Sequence, residues 1–104
     1  MVARWPPDGS LCPICEGSGR GSTRYPAALC ERCEARVRDR AGHPVEMFNE
    51  GLSGGLEIRT AMATVSSPDA EKLPLFVDGV ECRAREHRFG GVVVQPLEAW
   101  DGAG

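Results

Sequence analysis

The chain is poor in aromatic residues and in histidine, and it has no long apolar run; each shortage removes a class of explanation. Two Trp, one Tyr and three Phe among 104 residues cannot build a large aromatic core, and a chain this short supports one compact unit rather than two independent cores. Only two histidines, His43 and His87, are available for acid–base chemistry, and no Cys-His or Ser-His motif accompanies them. No stretch approaches the ~18 to 20 apolar residues that span a bilayer. The opening MVARWPPDGS lacks the apolar centre of a secretory signal, so the expected location is cytoplasmic, with no membrane partner. Thirteen Gly and eight Pro favour many turns over long helices.

Cysteine is what the chain does have. Cys12-Pro-Ile-Cys15 and Cys30-Glu-Arg-Cys33 are two CxxC pairs separated by fourteen residues. A two-residue gap lets both thiolates of a pair converge on one ion, and the longer gap brings the second pair round to complete a tetrahedron. A thioredoxin-type redox site needs only one CxxC, so the second matched pair points to metal. In a reducing compartment these thiols stay free for it. The expected cofactor is one structural Zn2+; the same four ligands also hold a rubredoxin-type iron, so Fe stays open. Such a site has no open coordination position and names a scaffold rather than a reaction, which predicts a protein that is not an enzyme.

The formal charge of −3 understates the acidity, because four thiolates around one divalent ion add about two negative charges. Residues 1–43 carry seven Arg against five acids, whereas residues 44–104 carry five basic groups against ten acids. An anionic partner would therefore meet the zinc half.

Residues 1–10 read as an extended lead-in and 11–43 as the zinc module. Glu16 to Thr23 is a polar, glycine-rich hairpin or irregular loop. The stretch from Glu31 to about Ala41 reads as a helix stopped by Gly42-His43-Pro44. A first pair on a knuckle and a second pair opening a helix is the treble-clef arrangement, favoured here over a zinc ribbon, which would place a strand after the second pair. Residues 44–97 read as a small, mostly antiparallel sheet of the same domain, with strands around Val45–Phe48, Leu56–Met62, Leu75–Val77, Val80–Arg85 and Val92–Gln95. Gly51 to Gly55 supplies a turn, Ser66-Ser67-Pro68-Asp69 a loop, and Asp78-Gly79 a type I′ hairpin turn. Residues 98–104 read as a loose tail. The expected fold is α+β, a four-cysteine zinc module with one short helix packed on the sheet.

Each further candidate has a plain structural reading. His43 falls at the expected helix end and His87 in a charged turn. Cys82 lies on an apolar strand face and suits a small hydrophobe better than a nucleophile. Arg32, Arg36 and Arg40 form a helical stripe, with Arg24 in the preceding loop. They are candidate anion or partner contacts, although interleaved acids favour a solvated face. Arg88-Phe89-Gly90-Gly91 is a candidate contact surface.

Two resemblances add to this. Cys12-Pro-Ile-Cys15-Glu-Gly17-Ser-Gly19 resembles the CxxCxGxG repeat of DnaJ-type chaperones over eight residues. The second pair lacks the matching glycines, so the chaperone role does not carry over. Arg24-Tyr25-Pro26, Leu29-Cys30, Val45 to Asn49, Ser53-Gly54-Gly55, Gly79 to Arg83 and Arg88 to Gln95 together resemble a family of small, functionally uncharacterised bacterial proteins with an N-terminal CxxC zinc module and a short β-rich part. That resemblance implies one domain and supplies no catalytic residue. The expected function is a zinc-stabilised adaptor that presents a rigid loop and sheet edge to a protein partner, a homodimer being another use of such an edge. The alternative is nucleic-acid binding through the arginines of the zinc half; a His-metal nuclease ranks last, since no second metal set accompanies the histidines.

Overall fold

A computed structural model describes residues 8–22, 24–49, 55–86 and 91–103, the last three by backbone alone. The lead-in before residue 8, the turn residues 51–54, His87, Arg88, Phe89 and Gly90 lie outside the described residues. The architecture is α+β, with a cysteine-bearing segment and two antiparallel three-stranded sheets.

The first sheet joins β1 (Glu46–Asn49), β2 (Leu56–Arg59) and β3 (Thr64–Ser66). β2 alternates, burying Leu56 and Ile58 and leaving Arg59 exposed. It ends earlier than the expected Met62 because Thr60 turns the chain. The Thr60 amide donates to the Ala63 carbonyl at 2.8 Å, and its hydroxyl accepts from the Ala63 amide at 3.1 Å. The turn leads into β3, which the sequence reading missed: three residues with only Val65 half-buried leave little periodicity to detect.

The second sheet joins β4 (Leu75–Val77), β5 (Val80–Glu86) and β6 (Val92–Pro96). Asp78 and Gly79 take φ values of 50° and 81°, the left-handed pair that a two-residue type I′ turn demands. β5 buries Cys82 and Ala84, while Val80, expected on the same buried face, is 39% exposed at the start of the strand. Two sheets replace the single sheet expected. Between them Glu86 accepts from the Gly55 amide at 2.6 Å and from Asn49 Nδ2 at 2.8 Å.

Both helical readings are corrected. The helix expected over 31–41 is one turn, α1 (Glu31–Glu34). Its residues favour helix, but tertiary bonds prevail: Val37 is buried in the core, and Arg38 exchanges backbone hydrogen bonds of 2.9 and 2.8 Å with Phe76. The expected loose tail contains α2 (Leu97–Ala103), anchored by buried Ala99 and by the Trp100 indole, which donates to the Arg83 carbonyl at 3.0 Å.

The core is continuous with the cysteine segment. Cys12, Leu29, Cys30, Cys33 and Val37 pack in one cluster with Leu56, Ile58, Leu75, Val77, Cys82 and Val94. The segment leading into the second pair is tied to β6 twice: the Leu29 amide donates to the Val94 carbonyl at 2.9 Å, and the Ala27 amide to Gln95 Oε1 at 2.8 Å.

Candidate metal centre

The first pair sits on a tight turn. The Cys12 amide donates to the Gly17 carbonyl and the Glu16 amide to the Cys12 carbonyl, both at 2.9 Å. Glu16 has a φ of 62°, a conformation that usually selects glycine. Of the two forms expected for the glycine-rich stretch, its described start takes the hairpin: Leu11 bridges Ser18, and the Gly19 amide donates to the Ser10 carbonyl at 3.0 Å. A Cβ on Gly19 would collide with the Gly9 carbonyl. Close approach of two backbones thus explains the glycine that follows the chaperone-like pattern.

The second pair opens α1. Cys30 occupies the N-cap position in extended conformation, and Cys33 lies in the single helical turn. Arg20 of the hairpin arm pairs with Glu34 of α1 at 3.2 Å. Burial pushes the Glu34 carboxyl upward more than Arg20 lowers it.

These two elements bring all four sulphur atoms within 4.8 Å of one another. Cys15 Sγ and Cys30 Sγ are 3.7 Å apart. Four sulphurs at about 2.3 Å from a central ion would be separated by about 3.8 Å, so the cluster has the size of a tetrahedral thiolate site and can hold a metal ion. All four cysteines are free of disulfides.

The surroundings supply the donors that such a site needs. The Gly17 amide points to Cys15 Sγ and the Cys30 amide to Cys12 Sγ, both at 3.4 Å, and Arg36 Nη2 lies 3.3 Å from Cys33 Sγ. The last is a cation beside a developing thiolate, the outer-shell contact that steadies a charged ligand. The bare thiols differ sharply. The Cys33 amide at the start of α1 brings Cys30 down to about 7, whereas burial pushes Cys33 up to about 12 against the pull of Arg36. A divalent ion favours all four thiolates and replaces this inequality with one charged cluster. Cys12, Cys30 and Cys33 are buried and Cys15 is exposed.

The remaining candidates separate. Arg32 and Arg36 line an open cleft with Cys15 and Cys33. Arg40 lines a second cleft with Arg38, Phe76 and Asp78, which Arg36 also borders, so Arg32 and Arg40 fall in different clefts. The break after Glu34 therefore dissolves the expected stripe. Arg24 is exposed in the turn before Ala27. His43 is exposed, with Nδ1 3.9 Å from Asp39 Oδ2, and belongs to a turn rather than to a helix end. Cys82 is fully buried, and burial pushes its thiol up to about 12, as suits a core residue. Arg38 and Gln95 were missed by sequence reasoning. Gln95 left a signal, a polar residue ending a β-branched run.

Among the described residues no helix is long and apolar enough to cross a membrane. Comparison of the chain with models of known protein families, with curated proteins and with solved structures finds no match. The cysteine cluster is accordingly the part of the sequence resemblance that the structure carries.

Proposed function

We propose that the protein is a non-enzymatic binding module that a single structural zinc ion makes rigid, built on treble-clef lines with its first pair on a knuckle and its second at a helix start. The observation that carries this reading is the closeness of the four sulphurs, all within 4.8 Å, which leaves the ion no position for water or substrate. Zinc is preferred to iron because a redox-inert tetrahedral ion suffices for a site woven into the core. The module also occupies sheet edges: Arg38 pairs with β4, and the Leu29 amide reaches β6. The surface left for a protein partner is thus the zinc half itself and the first sheet, where β3 keeps Thr64 and Ser66 exposed.

Nucleic-acid binding is the second reading, favoured by exposed Arg32, Arg36, Arg38 and Arg40 on the zinc half. Two of these flank a metal centre that carries about two negative charges, which reduces the cationic surface available. Native mass spectrometry of untagged protein from its own cells tests both readings. One zinc with a bound protein is the expected result. Co-purifying nucleic acid, lost steeply as salt rises, would favour the second reading. A folded, reduced chain without metal would refute the central claim.

A further inference from the structure

We propose that the cleft between Arg38, Arg40 and Phe76 receives an acidic peptide segment of a protein partner. This deepens the binding-module reading and rests on it. The cleft has a volume of about 470 Å³ and is lined by Arg36, Arg38, Asp39, Arg40, Phe76 and Asp78, together with two turn glycines. That volume lies in the range of roughly 300–1,000 Å³ found for ligand-sized sites.

The charges in the cleft do not cancel evenly. Asp78 is engaged by Arg36 at 3.1 Å, and the same guanidinium faces Cys33 Sγ, so Arg36 is committed to the metal centre and to Asp78. Asp39 is turned toward its own loop, where Oδ1 accepts from the His43 amide at 2.9 Å and Oδ2 lies 3.9 Å from His43 Nδ1. The Arg38 guanidinium donates to the Gly42 carbonyl at 3.3 Å, a neutral acceptor that leaves its charge unbalanced. Among the described residues Arg40 is exposed and forms no ion pair. With Arg36 and Asp78 paired, Arg38 and Arg40 stand against the single carboxylate of Asp39, so the cleft keeps about one positive charge beside one half-buried aromatic ring, in a protein whose net charge is −3.

The placement is rigid. The Arg38 backbone is locked to Phe76 by reciprocal hydrogen bonds of 2.9 and 2.8 Å. The far wall is the Asp78-Gly79 turn, and the near wall is a turn closed by the Gly42 amide on the Asp39 carbonyl at 3.0 Å. Guanidinium groups match carboxylates through paired N–H donors, and Phe76 offers an apolar surface between them. A short acidic segment with one apolar side chain matches this arrangement.

The test uses the zinc-loaded full chain, the capped pentapeptide Glu-Glu-Phe-Glu-Glu and backbone amide NMR. Expected are shifts confined to residues 38–42 and 76–79, weakened at least tenfold by the double substitution Arg38→Gln and Arg40→Gln. The same substitution should leave zinc content and thermal stability unchanged, and Arg24→Gln should leave peptide binding unchanged. Absence of shifts at millimolar peptide, or shifts the double variant retains, would overturn the proposal. Shifts produced by an oligothymidylate of equal charge but not by the peptide would overturn it in favour of nucleic acid. Capture from source-cell extract separates the two levels of the argument. A protein held equally by the wild type and the double variant refutes the cleft and spares the module reading. Failure of both to hold any protein, with the pentapeptide also silent, refutes both.

Discussion

Replacing Gln95 with leucine tests the joint between the cysteine segment and the second sheet. Gln95 is 1% exposed, and its Oε1 accepts from the Ala27 amide at 2.8 Å across 68 positions of sequence. Ala27 is itself 0% exposed, so no water can replace the lost acceptor. Leaving a buried donor unpaired costs about 1–3 kcal/mol. The more apolar leucine offsets part of this, for a net loss of about 1–2 kcal/mol. For a domain near this size each kcal/mol moves the melting temperature by about 4–8 °C, so Gln95→Leu should melt roughly 5–15 °C lower. Calorimetry on zinc-loaded protein measures the total, and hydrogen exchange locates it: the Ala27 amide should lose protection by roughly tenfold for each 1.4 kcal/mol of local loss. An unchanged melting temperature with Ala27 still protected would refute the assigned bond and the idea that Gln95 holds the second cysteine pair in place.

Chelation of the metal should unfold or loosen the chain around residues 11–43. If zinc binds at nanomolar strength and is present at a thousandfold excess over its dissociation constant, its removal costs about 4 kcal/mol; calorimetry with and without chelator reads the change, and an unchanged melting temperature would refute a structural ion. In chelated protein an alkylating reagent should modify the four cysteines of the loosened 11–43 segment before buried Cys82, with mass spectrometry recording the order; rapid labelling of Cys82 would contradict its place in the core. The raised Cys82 value fixes a pH dependence. With the folded thiol at about 12 and the unfolded thiol near ~8.5, its contribution is complete below ~8.5 and is lost as pH rises toward about 12. The variant Cys82→Ala should flatten that alkaline limb in urea unfolding, and an unchanged limb would exclude Cys82 as its source. Glu86→Ala removes the acceptor shared by Gly55 and Asn49 and should cost about 1.5–3 kcal/mol, visible as a lower urea midpoint; a neutral result would show that solvent replaces the carboxylate.

The legible parts of the sequence were those with strictly local causes. The two CxxC gaps force neighbouring thiolates together, and Asp78-Gly79 supplies the positive φ angles of a tight hairpin. The illegible parts were those where a distant strand took over a local preference. From Glu31 to Ala41 the residues suit a helix, yet Phe76 claims the backbone of Arg38 and the core claims Val37, so only one turn remains. The tail is the opposite case. Leu97 to Ala103 has little helical amphipathicity, and α2 forms where Ala99 is buried and Trp100 has a carbonyl to bond.

By itself the sequence determined that four thiols would meet and that hairpins would follow, because spacing and turn chemistry act over a few residues. Tertiary structure decided which arginines have work at the metal centre and which face elsewhere. Arg36 reaches Cys33 and Asp78, whereas Arg40, which an unbroken helix would carry on the same face, borders the same cleft as Arg38 and Phe76 but makes neither contact. The reason is geometric: side chains four apart share a face only while the helix continues, and whether it continues depends on strand pairing more than thirty residues away.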